Sequence, residues 1–231
     1  MALYAIGDTH LSLTSNKPMD VFGGGWEGYV DKLQKGFAAV GPEDTVVLCG
    51  DLSWGMSLEE AKGGPRFPGR LPGARKLLLK GNHDYWWNTA AKMERFFREH
   101  ELTTMEILHN NCKFYGELAL CGTRGWFYEL DNQGTHDEKV LLREIGRLET
   151  SLKAAGGARE AGVSPLSAPV SGLPLPGDPA AAEGVRREAV LLTAICTALP
   201  TAGPSRECGM ERSFRWMSAD YLKFVPKKIC E

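Results

Sequence analysis

A chain of 231 residues and 25.3 kDa has the length to bury one good-sized core and is short for two, so a single domain spanning residues 1–231 is expected. The formal net charge of -2, with both signs interspersed, argues against a general nucleic-acid-binding surface and against a membrane-attracted one, and any attraction for phosphate has to be local. No apolar run approaches the roughly 20 residues of a bilayer span, and the six cysteines lie without Cys-x-x-Cys pairs, so the expectation is a reduced, cytoplasmic protein.

Three segments share one design, an apolar run that ends in Gly and is followed at once by a residue with a side-chain oxygen. They are Leu3-Tyr4-Ala5-Ile6 before Gly7-Asp8, Val46-Val47-Leu48-Cys49 before Gly50-Asp51, and Leu77-Leu78-Leu79-Lys80 before Gly81-Asn82. Such runs suit strands buried on both faces of a helix-covered sheet. Helical patterns separate them, from Trp26 to Val40 and from Asn88, as N-cap, to His100. In sheets of this βαβ kind, ligand-holding residues collect beyond the carboxyl ends of adjacent strands, so the three oxygen donors are expected to converge.

Further along, Ile107-Leu108, Lys113-Phe114-Tyr115 and Leu118-Ala119-Leu120-Cys121 read as short strands of a second sheet. Leu141, Ile145, Leu148 and Leu152 mark one face of an amphipathic helix from Asp137 to Ala155. After Gly156 the chain turns Ala-, Pro- and Gly-rich, and residues 157–212 read as irregular, linker-like sequence. A smaller stretch of the same character lies at Gly63 to Gly73. Order is expected to return in a last strand at Phe214 to Ser218, followed by a short tail.

Asp8-Thr9-His10 sets a carboxylate and an imidazole two residues apart, able to face one side of an extended strand end. Mixed oxygen and nitrogen donors suit Mn, Fe or Zn better than Ca. Alone, that spacing and the turn residue Asp51 are compatible with ordinary turns. Gly81-Asn82-His83-Asp84 is more specific, because amide, imidazole and carboxylate in succession after a buried strand have few structural uses.

Together these motifs resemble the calcineurin-like metallophosphoesterases, whose front half carries Asp-x-His, Gly-Asp and Gly-Asn-His-Asp/Glu. The surrounding Gly50-Asp51-Leu52-Ser53-Trp54, Gly81 to Trp87 and Gly122-Thr123-Arg124-Gly125-Trp126 are similar to a bacterial branch sometimes labelled serine/threonine phosphatase. The resemblance covers about residues 1–155 and the last dozen or so. It implies an α/β/β/α sandwich of two mixed sheets flanked by helices. It also implies two divalent or trivalent ions (Mn, Fe or Zn) and hydrolysis of a phosphate mono- or diester by a metal-bridged hydroxide. By the same resemblance Asp8 and His10 are metal ligands, Asp51 bridges both ions, and Asn82 is a ligand of the second. His83 is the catalytic residue that stabilises transition-state charge or protonates the leaving oxygen, with Asp84 fixing its tautomer. The substrate is a phosphate ester whose class stays open, as do the native metal and the oligomeric state.

Other features have blander readings. Trp54, Trp86, Trp87 and Trp126 are expected in core or cleft-wall packing rather than as a stacking platform. Arg124 is taken as a surface or ion-paired residue rather than a phosphate contact, and Cys49 as a small buried apolar residue. Gly23-Gly24-Gly25 lacks the Lys-Ser/Thr of a nucleotide-binding loop.

The family pattern breaks after His83. One histidine of a His-x-Pro-Pro-like segment and two of a Gly-His-x-His are absent, and His100, His109 and His136 fall at a helix end, a turn and a polar loop, as non-ligands. Codons for Ala161 to Pro169, with one base dropped, permit Leu-Val-Phe-Leu-His-Tyr-Pro-Pro. Codons for Thr193 to Thr201, with two bases dropped, permit Gly-His-Leu-His-Gly-x-Ser-His. Frameshifts within residues 157–212 are the hypothesis that would explain both the odd composition and the lost motifs, and on it a disrupted back half is expected. The alternative to an active phosphoesterase is a catalytically impaired remnant that binds one metal or none and acts, if at all, as an interaction protein.

Overall fold

The structure, a computed structural model, describes residues 1–13, 19–23, 25–62, 71–124, 135–155, 161–165, 187–193 and 217–231. It divides into two compact units, Met1–Ile107 with Met217–Glu231, and Leu108–Trp216.

In the first unit the chain runs through β1 (Leu3–Ile6), α1 (Tyr29–Gly36), β2 (Thr45–Leu48), α2 (Leu58–Lys62), β3 (Arg75–Leu78), α3 (Ala90–Glu99) and β4 (Met105–Ile107). The sheet order is β4-β3-β2-β1, closed by a strand from the C-terminal segment, Lys227–Cys230. β1 to β4 are parallel and in register, Leu3 facing Thr45 and Thr45 facing Arg75, whereas the C-terminal strand pairs antiparallel to β1. Parallel registry brings the carboxyl ends of β1, β2 and β3 out on one edge of the sheet, where the three Gly-terminated runs end.

The apolar runs form strands because both faces are covered. β2 is buried throughout, and Ile6, Val46, Leu48 and Leu78 share one core with Tyr29 and Leu33 of α1 and Met93, Phe96 and Phe97 of α3. Each such side chain contributes about 1.5–3 kcal/mol on full burial. α1 begins later than the Trp26 expected from sequence, because Gly25 and Gly28 hold positive φ of 133° and 61°. It ends in a 3-10 turn, Phe37–Ala39. The N-cap of α3 is Thr89, which accepts the Lys92 N–H at 3.4 Å, while Asn88 stays one residue outside and accepts from the Thr89 N–H.

Two strand assignments are corrected. Ile107 belongs to β4 of the first sheet, drawn there because the Lys76 N–H donates to Thr104 O at 2.7 Å and Met105 and Ile107 fill the core. The closing strand is Lys227–Cys230 in the expected tail, with Lys227 and Lys228 exposed as suits an edge. Of Phe214 to Ser218, residues 214–216 lie outside the described residues. Met217 and Ala219 bracket Gly7, accepting its N–H at 2.6 Å and donating to its carbonyl at 2.9 Å.

In the second unit β5 (Asn111–Tyr115) and β6 (Leu118–Thr123) form a hairpin across Gly116-Glu117. α4 (Thr135–Ala154) lays Leu148 and Leu152 against Cys121. Two further strands, β7 (Ala161–Pro165) and β8 (Arg187–Thr193), complete the order β5-β6-β8-β7, and the C-terminal strand of the first sheet is β9. β7 and β8 fall inside the stretch read as irregular. The run Ala189-Val190-Leu191-Leu192 has the apolar, β-forming character to pair with Ala119 to Gly122. The rest of residues 157–212, and residues 63–70 of the smaller odd patch, lie outside the described residues. Both sheets mix parallel and antiparallel pairs beside helices, which is the α/β class expected. Among the described residues no helix is long and apolar enough to cross a membrane.

Candidate metal centre

The loops that leave β1 and β2 run hand in hand. Asp8 N–H donates to Gly50 O at 3.0 Å, His10 N–H to Asp51 O at 2.9 Å and Leu11 N–H to Leu52 O at 2.9 Å, and Trp54 N–H returns to Leu11 O at 3.0 Å. The Thr9 hydroxyl donates to Leu52 O at 3.0 Å. Tyr29 fixes the outgoing chain, its hydroxyl donating to His10 O at 3.2 Å and accepting the Ser12 N–H at 2.9 Å.

Along this paired loop Asp8, His10 and Asp51 all hold left-handed backbone, with φ of 50°, 43° and 49°. Such geometry costs on the order of 1–3 kcal/mol per non-glycine residue and persists only where the surroundings enforce it. Its effect is to aim three side chains inward. Asp8, His10 and Asp51 each offer a ligand atom within 4.8 Å of the others.

The third loop, after β3, is brought close by Gly81, where a Cβ would stand 2.0 Å from Asp51 Oδ1 and 2.2 Å from Asp51 N. Only a residue without a side chain permits that approach. His83 N–H then donates to Asp51 Oδ1 at 2.7 Å. The His83 ring sits 5.8 Å from the His10 ring, and Tyr85 Oη lies 3.4 Å from His83 Nδ1. Asn82 stands between Gly81 and His83 on the same loop.

The donor set fits a transition-metal ion. Asp8 and Asp51 are each only 3% exposed, and the buried Nδ1 of His10 has no hydrogen-bond partner among the described residues. Burial, reinforced by the neighbouring His83 and only partly countered by Asp220, brings the His10 pKa down to about 4. The imidazole is therefore neutral at pH 7, the form that binds metals. Two carboxylates and a neutral imidazole suit Mn, Fe or Zn.

Asp84 departs from expectation. Its carboxylate does not hold His83. Oδ2 accepts the N–H groups of Asp51 at 2.9 Å and Gly81 at 2.8 Å. Oδ1 accepts those of Leu52 at 2.8 Å and Ser53 at 3.4 Å, and the Trp86 indole N–H at 3.0 Å. Burial and the nearby Asp51 charge push its pKa up to about 6, against the pull of the backbone N–H groups. One neighbour of the His83 ring is Tyr85, its hydroxyl 3.4 Å from Nδ1, a residue to which the sequence motif gave no role.

Trp86 is core, 1% exposed, and Trp87 packs against the same core. Trp54 lies over the site, stacked on His10 at 4.9 Å and 17° and 5.0 Å from His83, with its indole N–H directed to Met19 Sδ. Trp26 approaches His10 at 6.1 Å. No motif marks Trp26 or Tyr29, because they reach the site from α1 and the residues before it. Trp126 lies outside the described residues, and Arg124 follows β6 in the second unit. The Cys49 thiol, pushed up to about 12 by burial and then by Asp8, is the inert apolar group expected. His100 ends α3, with Nε2 3.3 Å from Glu59 and its ring on Phe96 at 4.2 Å. His109 lies between β4 and β5, and His136 falls within α4 rather than in a loop.

Loops that leave the carboxyl ends of parallel strands, those after β1 and β2 through left-handed backbone, give this α/β protein a candidate metal site at Asp8, His10 and Asp51. The family model for calcineurin-like phosphoesterase matches residues 1–156, and the chain belongs to that family. No curated protein matches it. Among solved structures it is similar to the protein of unknown function AQ665 from Aquifex aeolicus, at 14% identity and a TM-score of 0.48, covering 98% of this chain and 95% of that one.

Proposed function

We propose that this chain is a metal-dependent hydrolase of phosphate mono- or diesters. The observation that carries the reading is the convergence of Asp8, His10 and Asp51 within 4.8 Å in a chain of the phosphoesterase family. Two Mn, Fe or Zn ions, when bound, supply Lewis acidity toward the phosphoryl oxygens and make water acidic enough to attack near neutral pH. Asp8, His10 and Asp51 would hold the metal, with Asp51 shared if two ions bind, and Asn82 would offer a further oxygen without adding a negative charge that would repel phosphate. His83, with Tyr85 Oη beside Nδ1, presents Nε2 to the leaving oxygen and gives it a proton.

A second reading is favoured by where the family match ends, at residue 156, since none of the five histidines lies beyond it. On that reading the chain is a remnant that binds one ion or none. Metal content, measured beside Mn-dependent hydrolysis of an aryl phosphate ester and diester, separates the two. Two ions per chain and turnover abolished in Asp51→Asn support the enzyme; fewer ions and hydrolysis indifferent to that substitution support the remnant.

A further inference from the structure

Asp84 is 1% exposed, yet it touches neither solvent chemistry nor the His83 ring. Its two oxygens divide five donors in a telling way. Oδ2 joins the N–H of Asp51, which follows β2, to that of Gly81, which follows β3. Oδ1 takes up the next two N–H groups of the β2 loop, Leu52 and Ser53, together with the indole of Trp86. Every backbone bond it accepts therefore comes from a loop bearing a proposed ligand. Three of them come from the segment that carries Asp51 through left-handed backbone at φ 49°.

We infer that Asp84 is a positioning residue, a carboxylate clasp that sets the Asp51 carboxylate between the β1 and β3 loops and so determines metal affinity. The role rests on the metal-centre reading above but is not the tautomer-fixing one that the motif suggests. A buried acceptor facing backbone N–H groups cannot be replaced by a donor without leaving those groups unpaired. Release of either loop swings the Asp51 oxygens, one of which is already held by the His83 N–H at 2.7 Å. Because Asp84 orients a ligand by hydrogen bonding from behind it, its loss belongs with the outer-shell changes that weaken metal binding about 10–100-fold.

The test uses the full chain, with Mn2+ as probe. Asp84→Asn puts an amide N–H2 where one oxygen accepted, Asp84→Glu keeps both oxygens one methylene further out, and Met105→Ala on β4 is a core truncation away from the loops. Mn2+ affinity is read by the EPR signal of free ion, beside thermal midpoints and amide exchange at Asp51 and Gly81 in the metal-free chain. Asp84→Asn is expected to bind Mn2+ about 10–100-fold more weakly, with Asp84→Glu between it and the wild type and Met105→Ala unchanged at a comparable loss of midpoint. Wild-type affinity in folded Asp84→Asn, or an equal loss in Met105→Ala, overturns the inference. Should Asp84→Asn not fold, the same comparison between Asp84→Glu and Met105→Ala decides. A wild-type chain that takes up no Mn2+ sinks the metal reading instead. Exchange then judges the clasp alone, faster at Asp51 and Gly81 in the variants if it exists and unaltered if it does not.

Discussion

His83 and Asp51 are joined through backbone, the His83 N–H donating to Asp51 Oδ1, so a change at the His83 side chain leaves that tie in place. On the proposed chemistry the ring works on the leaving oxygen and binds no ion. His83→Ala is therefore expected to lower kcat by about 10²–10⁴-fold, the contribution of a general acid, while metal content stays near that of the wild type. Metal analysis and steady-state kinetics on one preparation check it, and parallel loss of both would make His83 a ligand instead. At this scale Asp8, His10 and Asp51 were legible because their residue types carry the chemistry and their motifs follow recognisable strands. Three of the five donors to Asp84 were not, since they are backbone N–H groups of residues more than thirty positions away and no side-chain pattern records them. The same holds for Tyr29, whose hydroxyl holds the His10 loop from a helix nineteen residues on.

Elements were legible where burial is two-sided. β1, β2 and β3 announce themselves as apolar runs because their side chains are buried on both faces. β9 does not, being an edge strand of Lys-Lys-Ile-Cys with its lysines exposed. What fastens the C-terminal segment to the first unit is packing that a linear reading cannot see. Phe224 enters the core at 3% exposure and meets Trp26 edge-on at 5.2 Å. At Gly36, the last residue of α1, a Cβ would come 2.0 Å from Phe224 O and 2.9 Å from Val225 Cα. Both obstacles are backbone, so no rotamer change relieves them. Gly36→Ala is expected to destabilise the chain by about 1–3 kcal/mol through overpacking. At about 2–4 °C per kcal/mol for a chain of this size, the loss is readable in a thermal melt. An unchanged midpoint would mean that α1 and the C-terminal segment separate without cost.

For the whole molecule the decisive contrast is between the front, where family match, strained ligand loops and buried donors agree, and the sequence beyond residue 156, where the match stops. The described part of that region still places β7 and β8 beside β6, so strand pairing alone does not require the family's histidines. On the proposed chemistry a second ion would need donors beyond Asp51 and Asn82, and neutral imidazoles, like the Asn82 amide, add no charge against phosphate. A chain recoded by the frame shifts at residues 161–169 and 193–201, so that it carries His-Tyr-Pro-Pro and Gly-His-Leu-His, is therefore expected to hold two ions and to hydrolyse an aryl phosphate faster than the present chain. Elemental analysis and Mn-dependent turnover of both chains, side by side, measure it. Equal metal content and equal turnover would mean that residues of the written frame already complete the centre, and that frameshifts do not explain its composition.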